Sequence, residues 1–347
     1  GSEEPGTLLE GRPCAPGCVR RRAHLGFRAP AHVTGAAMGI GLIFPGQASQ
    51  FVGMGRELHE AFPAARAVFE EASEAAGMDI AALCFRGSEE DLRLTENTQP
   101  AIFTVSVAAF RVLSDETGIR PICAAGHSLG EYSALVAAGA LGVGVAARIL
   151  RLRGRYMQEA VKVGDGAMAA IIGLSREWVE GACRAGAAMG VVEPANFNGG
   201  DQIVISGGAD AVAVASKAAW TAGAKRVLPL PVSAPFHCSL MKPAADRLAP
   251  ELRAVPKGAF LFPVVANVTA EPYQHGEDVS DSLIRQIVAP VRWEECVRKM
   301  RGMGVTAFIE VGPGKVLSGL VRRIDKDAAS LPFCVPGDLD AVRALRV

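Results

Sequence analysis

Short apolar runs alternate with longer segments of helical periodicity along most of the chain, which is the pattern of an α/β fold built on a parallel sheet. Residues 39–44 and 122–125 are almost uniformly apolar and predict buried strands. Helical spacing of apolar side chains predicts helices at residues 63–76, 100–114, 131–141 and 146–161. The same alternation predicts later strands and helices at residues 261–265, 281–288, 306–311 and 315–324.

The pattern changes between residues 166 and 231, where strands and helices follow one another in the order β-α-β-β-α-β. The predicted strands are residues 167–173, 191–197, 202–206 and 225–230, and the predicted helices are residues 176–188, capped by Ser175, and 209–222. This order is that of a ferredoxin-like unit. We therefore predict a small subdomain, residues 165–231, inserted into a large α/β subdomain whose two parts are residues 38–164 and 232–347.

Composition limits the kinds of partner that the chain can have. Lys and Arg together number 36, as do Asp and Glu, so no net charge attracts nucleic acid or a membrane surface. No apolar stretch is long and charge-free enough to span a bilayer. Four of the eight cysteines lie in apolar segments and are predicted to be buried thiols, which favours a reducing, cytoplasmic location: Cys84, Cys123, Cys183 and Cys296.

Residues 1–37 are rich in Gly, Pro, Ala and Arg and show no periodicity. We expect an extension outside the fold, either disordered or introduced by cloning. Cys14 and Cys18 lie here, with His24 and His32 beyond them, but their spacing fits no zinc-binding pattern. No metal site is therefore predicted.

The sequence Gly126-His127-Ser128-Leu129-Gly130 stands between a predicted strand and a predicted helix. G-x-S-x-G in this context is the form of a nucleophile elbow. The two glycines permit a turn tight enough to lift the serine hydroxyl clear of the backbone. Because the following helix presents free N–H donors and the positive end of its dipole, Ser128 is the candidate nucleophile beside an anion site.

A serine hydroxyl needs an adjacent base, usually histidine. His237 lies in a proline-bounded loop after a predicted strand, where its imidazole can be aimed. His127 adjoins Ser128, but neighbouring side chains on a tight turn point apart. The candidate acids between Ser128 and His237 are Asp165, Asp201 and Asp210, and none is a convincing triad acid because these three fall in or beside the predicted inserted unit. The base is therefore expected to be oriented by an amide or a carbonyl.

The predicted helix at residues 146–161 carries several arginines, and most of them are expected to face water. Arg153, Met157 and Ala160 share one face of this helix. One arginine can therefore be turned into a cleft.

Six stretches of the chain resemble the malonyl-CoA:acyl carrier protein transacylases, acyltransferases that load malonyl groups for fatty acid and polyketide synthesis. They follow that family's order and are residues 44–50, 126–135, 151–160, 166–174, 229–241 and 310–317. The resemblance implies a hydrolase-like α/β core with an inserted ferredoxin-like subdomain, and an enzyme without a cofactor. The chain departs from the family at Ala48, where glycine is usual.

The resemblance also implies roles for individual residues. Ser128 is the nucleophile, His237 is its base, and the carbonyl of Gln286 orients that histidine. Arg153 binds the free carboxylate of the substrate, because its planar fork donates two parallel hydrogen bonds. The backbone N–H groups of Gln47 and Leu129 form the oxyanion hole. The remaining implied residues line the substrate site: Met157, Phe236 and His127. A Phe-His pair such as that at residues 236–237 goes with malonyl rather than methylmalonyl selection.

The implied reaction is a ping-pong transfer of malonyl from malonyl-CoA to the phosphopantetheine thiol of acyl carrier protein, through an ester on Ser128. We expect these two partners, a monomer, and no nucleic acid or membrane. The alternatives are a discrete acyltransferase serving a polyketide synthase in trans, a serine thioesterase or carboxylesterase, and a binding module that has lost catalysis. A hydrolase would not need Arg153, and a binding module would form no acyl-enzyme.

Overall fold

The computed structural model describes residues 38–346, so the expectations for residues 1–37, including Cys14 and Cys18, lie outside the described residues. The strands are β1 (Ile40–Phe44), β2 (Cys123–Gly126), β3 (Gly166–Ile172), β4 (Val192–Gly199), β5 (Gln202–Gly208), β6 (Arg226–Pro229), β7 (Val264–Val265), β8 (Ala307–Val311) and β9 (Ala329–Phe333). The helices are α1 (Arg56–Ala61), α2 (Pro63–Ala76), α3 (Ile80–Arg86), α4 (Glu89–Arg93), α5 (Thr95–Thr117), α6 (Gly130–Ala137), α7 (Val143–Glu159), α8 (Arg176–Gly186), α9 (Ala209–Thr221), α10 (Lys242–Arg253), α11 (Asp278–Val288), α12 (Trp293–Gly302), α13 (Val316–Ile324) and α14 (Leu339–Arg343).

The main sheet has five parallel strands in the order β7–β2–β1–β8–β9. Its central strand β1 is buried on both faces, because Leu42 packs into one core and Ile43 into another. In the register of β1 and β2, Phe44 pairs with Gly126. The loops that follow these two strands therefore start side by side at the carboxyl edge of the sheet, where α/β folds place their ligands.

A second sheet has four antiparallel strands in the order β4–β5–β3–β6. Helices α8 and α9 pack against it and enclose a separate hydrophobic core. Along the chain, these elements follow the predicted order β-α-β-β-α-β. The second sheet is tied to the rest of the chain through β4, because Phe197 N donates to Val291 O and Val291 N donates to Ala195 O, each at 2.9 Å.

Several elements differ from the sequence predictions. Helix α5 begins at Thr95 rather than at Pro100, because a proline this close to the helix start removes only one early hydrogen bond. Strand β7 is shorter than predicted, because Pro263 cannot donate a hydrogen bond to the neighbouring strand. Leu261, which was predicted to begin this strand, lies outside it and is 80% exposed. Ser175 precedes α8, but its hydroxyl donates to the Glu177 carboxylate and caps no backbone group. Strand β9, at the edge of the main sheet, has no predicted counterpart.

The cysteines of the described chain are buried. The four predicted to be buried thiols are free and buried, which confirms that prediction, and Cys238 and Cys334 share this state. Burial raises the pKa of Cys84 well above its usual range, so this thiol stays protonated and unreactive. In the part of the chain that the structure describes, no helix combines the length and the apolar character needed to cross a bilayer.

Candidate active site

The turn between β2 and α6 holds Ser128 in a left-handed backbone conformation, with a φ of 54°. The turn is so tight that a Cβ on Gly126 would lie 1.9 Å from the Gly130 carbonyl carbon. A Cβ on Gly130 would lie 2.2 Å from the Phe44 carbonyl oxygen, at the end of the adjacent strand. Both positions therefore require glycine, and the G-x-S-x-G sequence follows directly from this geometry.

The Ser128 hydroxyl lies against His237. Its Oγ is 2.8 Å from His237 Nε2, and His237 Nδ1 is 2.8 Å from the backbone carbonyl oxygen of Gln286. Because a carbonyl only accepts hydrogen bonds, Nδ1 carries the proton and Nε2 accepts from the serine hydroxyl. The Gln286 carbonyl lies in the last turn of α11, where carbonyls have no partner within the helix. The orienting group of this histidine is thus a carbonyl and not a carboxylate.

Two histidines flank Ser128 in space, and both are neutral. Burial, followed by the positive charge of Arg153, lowers the pKa of His237 to about 3, against a smaller opposing effect of its bond to Gln286. Burial also lowers the pKa of His127. The His127 Nε2 atom is 3.0 Å from Asn198 Oδ1, so its hydrogen bond is to Asn198 and not to Ser128. Of the histidines in residues 38–346, only His237 is placed to accept the serine proton.

Arg153 is buried beside the serine, on the inner face of α7. Its Nη2 donates to Ser128 Oγ at 3.1 Å and to Gln286 Oε1 at 2.9 Å, and its Nη1 donates to Gln99 Oε1 at 2.7 Å. No acceptor among the described residues lies within hydrogen-bond reach of its Nε. Burial lowers the pKa of Arg153, but a guanidinium titrates so high that it keeps its charge. The site therefore holds a buried cation whose hydrogen-bond partners are all neutral.

A cavity of about 340 Å³ opens onto these groups. Eight of the nine residues predicted for the site line it: Gln47, His127, Ser128, Leu129, Arg153, Met157, Phe236 and His237. Gln286, the ninth, is buried behind His237 and Arg153 and acts on the cavity through them. Met168 and Leu230, from the antiparallel sheet and the segment after it, also contribute to the wall. The structure thus brings both sheets and all the predicted side chains to one place.

Two residues beside the serine have backbone N–H groups without a hydrogen-bond acceptor among the described residues. Neither the Gln47 nor the Leu129 N–H donates to an acceptor in the described part of the chain, and both residues line the cavity. Gln47 belongs to the loop after β1, and Leu129 immediately precedes α6. Ala48, next to Gln47, has a φ of 79°, in a region that favours glycine. This backbone conformation explains why glycine suits that position better than alanine.

Several polar residues of the site were not predicted from the sequence, and three of them contact Arg153, Ser128 or Gln286. Gln99 accepts from Arg153, as described above, and Asn267 Oδ1 accepts from the Ser128 N–H at 2.8 Å. Glu131 lies fully buried in the first turn of α6 and accepts from Gln286 Nε2 at 2.7 Å. Two of them carry a weak sequence signal, because Asn267 follows the end of β7 and Glu131 interrupts an apolar helix.

Comparisons with known proteins identify a matching family and similar sequences. The chain matches the family described as "Acyl transferase domain" over residues 42–336. It is 50% identical over 282 residues to the malonyl CoA-acyl carrier protein transacylase of Escherichia coli (strain K12), covering 81% of this chain and 91% of that protein. The transacylase of the same name from Bacillus subtilis (strain 168) is 46% identical over 309 residues, covering 88% of this chain and 97% of that protein.

Solved structures show the same likeness. An acyl carrier protein S-malonyltransferase from Vibrio cholerae superposes with a TM-score of 0.85 at 48% identity, covering 87% of this chain and 99% of that chain. A malonyl-transacylase solved in complex with its type II PKS acyl-carrier protein superposes with a TM-score of 0.85 at 46% identity, covering 88% of this chain and 99% of that chain.

Proposed function

The chain belongs to the acyl transferase domain family, and we propose that it transfers malonyl from malonyl-CoA to the thiol of acyl carrier protein, through an ester on Ser128. The observation that carries this proposal is the 3.1 Å contact between Arg153 Nη2 and Ser128 Oγ inside one cavity. One group there can hold an acyl chain as an ester, and the other can bind a carboxylate at the far end of that chain.

The surroundings of Arg153 favour an anionic ligand. Its hydrogen-bond acceptors are the side-chain oxygens of Gln99, Gln286 and Ser128, none of which carries a charge. A buried cation without a bonded counter-ion gains free energy when a carboxylate arrives. The unpaired Nε adds a further donor for that carboxylate. In a malonyl ester the carboxylate carbon is three bonds from the serine oxygen, so it stays within reach of the guanidinium.

The first half-reaction forms the ester. Ser128 Oγ attacks the thioester carbonyl of malonyl-CoA while His237 Nε2 takes the hydroxyl proton. The N–H groups of Gln47 and Leu129 donate to the oxyanion that develops on the carbonyl oxygen, and each such donor is typically worth a few kcal/mol in the transition state. When the intermediate collapses, the C–S bond breaks and His237 returns the proton to the coenzyme A sulfur.

The second half-reaction repeats these steps in reverse with a different thiol. The phosphopantetheine thiol of acyl carrier protein gives its proton to His237 and attacks the ester carbonyl. The C–O bond to Ser128 breaks, and His237 returns the proton to Oγ. Each step is an acyl or proton transfer, so the mechanism requires no cofactor. Transfer prevails over hydrolysis when the waiting ester is shielded from water, and apolar walls such as Met157 and Phe236 support that shielding.

We extend the proposal to the finer division of the fold. The elbow between β2 and α6, on a parallel sheet covered by helices, supports a hydrolase-like core of residues 38–164 and 232–347. The strand order β4–β5–β3–β6 supports a ferredoxin-like subdomain at residues 165–231. We also propose that the enzyme acts as a monomer in the cytoplasm, where its buried thiols stay reduced.

Intact-mass measurement of the protein mixed with malonyl-CoA tests the function. We expect a malonyl adduct that forms on the wild type, is absent from Ser128→Ala, and leaves when phosphopantetheinylated acyl carrier protein is added. The carrier protein should gain the mass that the enzyme loses. Release of free malonate without loading of the carrier would instead identify a thioesterase and overturn the proposal.

A further inference from the structure

A buried carboxylate lies beneath the elbow, outside the cavity. Glu131 is fully buried, and its Oε2 accepts from Gln286 Nε2 at 2.7 Å and from the Asn267 N–H at 3.1 Å. Its Oε1 accepts from the Tyr273 hydroxyl. A carboxylate that accepts at both oxygens and donates at neither has the bonding pattern of the ionised form. The mechanism above does not use this group.

The Gln286 side chain connects this carboxylate to Arg153. Its Nε2 donates to Glu131 and to the Ser128 carbonyl oxygen, the latter at 3.0 Å, while its Oε1 accepts from Arg153 at 2.9 Å. If the amide were turned over, its NH₂ would face the guanidinium donors and its oxygen would face the Glu131 carboxylate and the Ser128 carbonyl. Every one of these contacts would become repulsive. Glu131 therefore selects one of the two amide orientations.

We propose that Glu131 is a positioning residue for malonyl selection: it holds Gln286 with Oε1 towards Arg153 and so fixes the guanidinium opposite Ser128. This inference rests on the proposed malonyl transfer. Glu131 touches no substrate, and its effect passes through Gln286. Because acetyl-CoA has no carboxylate for Arg153 to bind, the orientation of the guanidinium matters for malonyl and much less for acetyl. The ratio of kcat/KM for malonyl-CoA to that for acetyl-CoA is therefore the quantity that Glu131 controls.

Three substitutions at Glu131 separate the effect of side-chain length from the effect of charge. Glu131→Ala removes the acceptor at 2.7 Å, and we expect the malonyl-to-acetyl ratio to fall about tenfold, because the Gln286 amide keeps only its longer contacts, to the Ser128 carbonyl at 3.0 Å and to Asn267 Oδ1 at 3.3 Å, on that side. Glu131→Asp keeps the charge but shortens the side chain by one methylene, and the ratio should fall as well. Glu131→Gln keeps the length, and its oxygen can accept from Gln286 and Asn267 while its NH₂ donates to the Tyr273 oxygen, so the ratio should stay within about twofold of the wild type.

Glu310 supplies a matched control for the general effect of removing a buried carboxylate. It is fully buried in β8 and accepts from the Leu317 and Ser318 N–H groups at 3.0 and 2.7 Å. Glu310→Ala should lower stability without changing the malonyl-to-acetyl ratio. All rates are taken per folded protein, measured by near-ultraviolet circular dichroism.

The outcomes are distinct. A wild type that does not load malonyl refutes the proposed function itself. An active wild type whose ratio is unchanged in Glu131→Ala and Glu131→Asp refutes the positioning role of Glu131. If Glu131→Ala does not fold, the malonyl-to-acetyl ratios of Glu131→Asp and Glu131→Gln are compared. A positioning role predicts the higher ratio in Glu131→Gln, whereas a purely electrostatic role predicts the higher ratio in Glu131→Asp.

Discussion

Replacing Arg153 with methionine removes the guanidinium while keeping most of the unbranched stem, and it separates recognition of the acyl carboxylate from the chemistry at Ser128. The guanidinium of Arg153 donates to three neutral oxygens at 2.7, 2.9 and 3.1 Å. A bound malonyl carboxylate would take two charge-assisted bonds, worth roughly 3 to 5 kcal/mol together, and would displace the contact to Ser128, worth about 1 kcal/mol, while the contact to Gln286 remains.

The net loss in Arg153→Met is therefore about 2 to 4 kcal/mol of transition-state stabilisation, which corresponds to a fall of roughly 30-fold to 900-fold in kcat/KM for malonyl-CoA. Acetyl-CoA has no carboxylate to lose, so its kcat/KM should stay within about threefold of the wild type. The two substrates differ only in that carboxylate, which makes their ratio a direct measure of the contact.

Single-turnover acylation, followed by intact mass at a series of substrate concentrations, measures both values. Arg155→Met is the matched control, because Arg155 lies on the same helix but is exposed, with its guanidinium over the Tyr156 ring. It should leave both rates unchanged. Arg153→Met also leaves the Gln99 and Gln286 oxygens without their donor, so urea unfolding should show a lower stability and rates must be expressed per folded protein. An equal fall for malonyl-CoA and acetyl-CoA would refute the assignment of Arg153 as the carboxylate-binding group.

Three further predictions concern the pH dependence of the rate, the pH dependence of stability, and backbone strain. Because burial and Arg153 lower the pKa of His237 to about 3, kcat/KM for acylation should vary by less than about twofold between about pH 7.5 and about pH 5. A pH profile with a midpoint near 6.5 in stopped-flow measurements would contradict the neutral histidine. Below about pH 6.5 the unfolded chain binds a proton at His237 and the folded chain does not. This group should therefore lower the free energy of unfolding by about 1.4 kcal/mol per pH unit as the pH falls from about 6.5 towards about 3. Urea titrations should show a smaller slope in His237→Ala. Ala48→Gly should stabilise the protein by about 0.5 kcal/mol, because relief of the backbone strain at a positive φ outweighs the conformational entropy that glycine adds to the unfolded chain. The control Ala222→Gly, at a φ of −76°, should destabilise it by about 0.5 to 1 kcal/mol. Destabilisation by both variants in urea unfolding would refute strain at Ala48.

The parts of the site that sequence reasoning located are those with a local cause. Gly126 and Gly130 are required by contacts within the elbow and with the adjacent strand, so the motif itself indicates the turn. The apolar runs that became β1 and β2 place the loops after them at one edge of the sheet, which brings Gln47 towards Leu129. The β-α-β-β-α-β order was readable because each of its elements has its own periodicity.

The residues that sequence reasoning missed owe their roles to packing between distant segments. Gln99, Glu131 and Asn267 lie on α5, on α6 and in the loop after β7, and they meet only when the helices pack against the main sheet. A buried amide such as Asn267 has no periodicity that distinguishes it from a surface amide, and its place after β7 is only a weak signal. Strand β9 was missed for a related reason: its five residues include Pro332, and only pairing with β8 makes them a strand.

The side-chain amides of Asn267 and Gln286 hold Ser128 in a strained backbone conformation. Five non-glycine residues in the described range 38–346 have a positive φ, and three of them line the cavity: Ala48, Ser128 and His237. Ser128 is held on both sides, because Asn267 Oδ1 accepts from its N–H at 2.8 Å and Gln286 Nε2 donates to its carbonyl oxygen at 3.0 Å. Such a conformation costs on the order of 1 to 3 kcal/mol and persists only when its surroundings fix it. Neutral amides can do this beside Arg153 without neutralising its charge, which leaves that charge available for the substrate carboxylate.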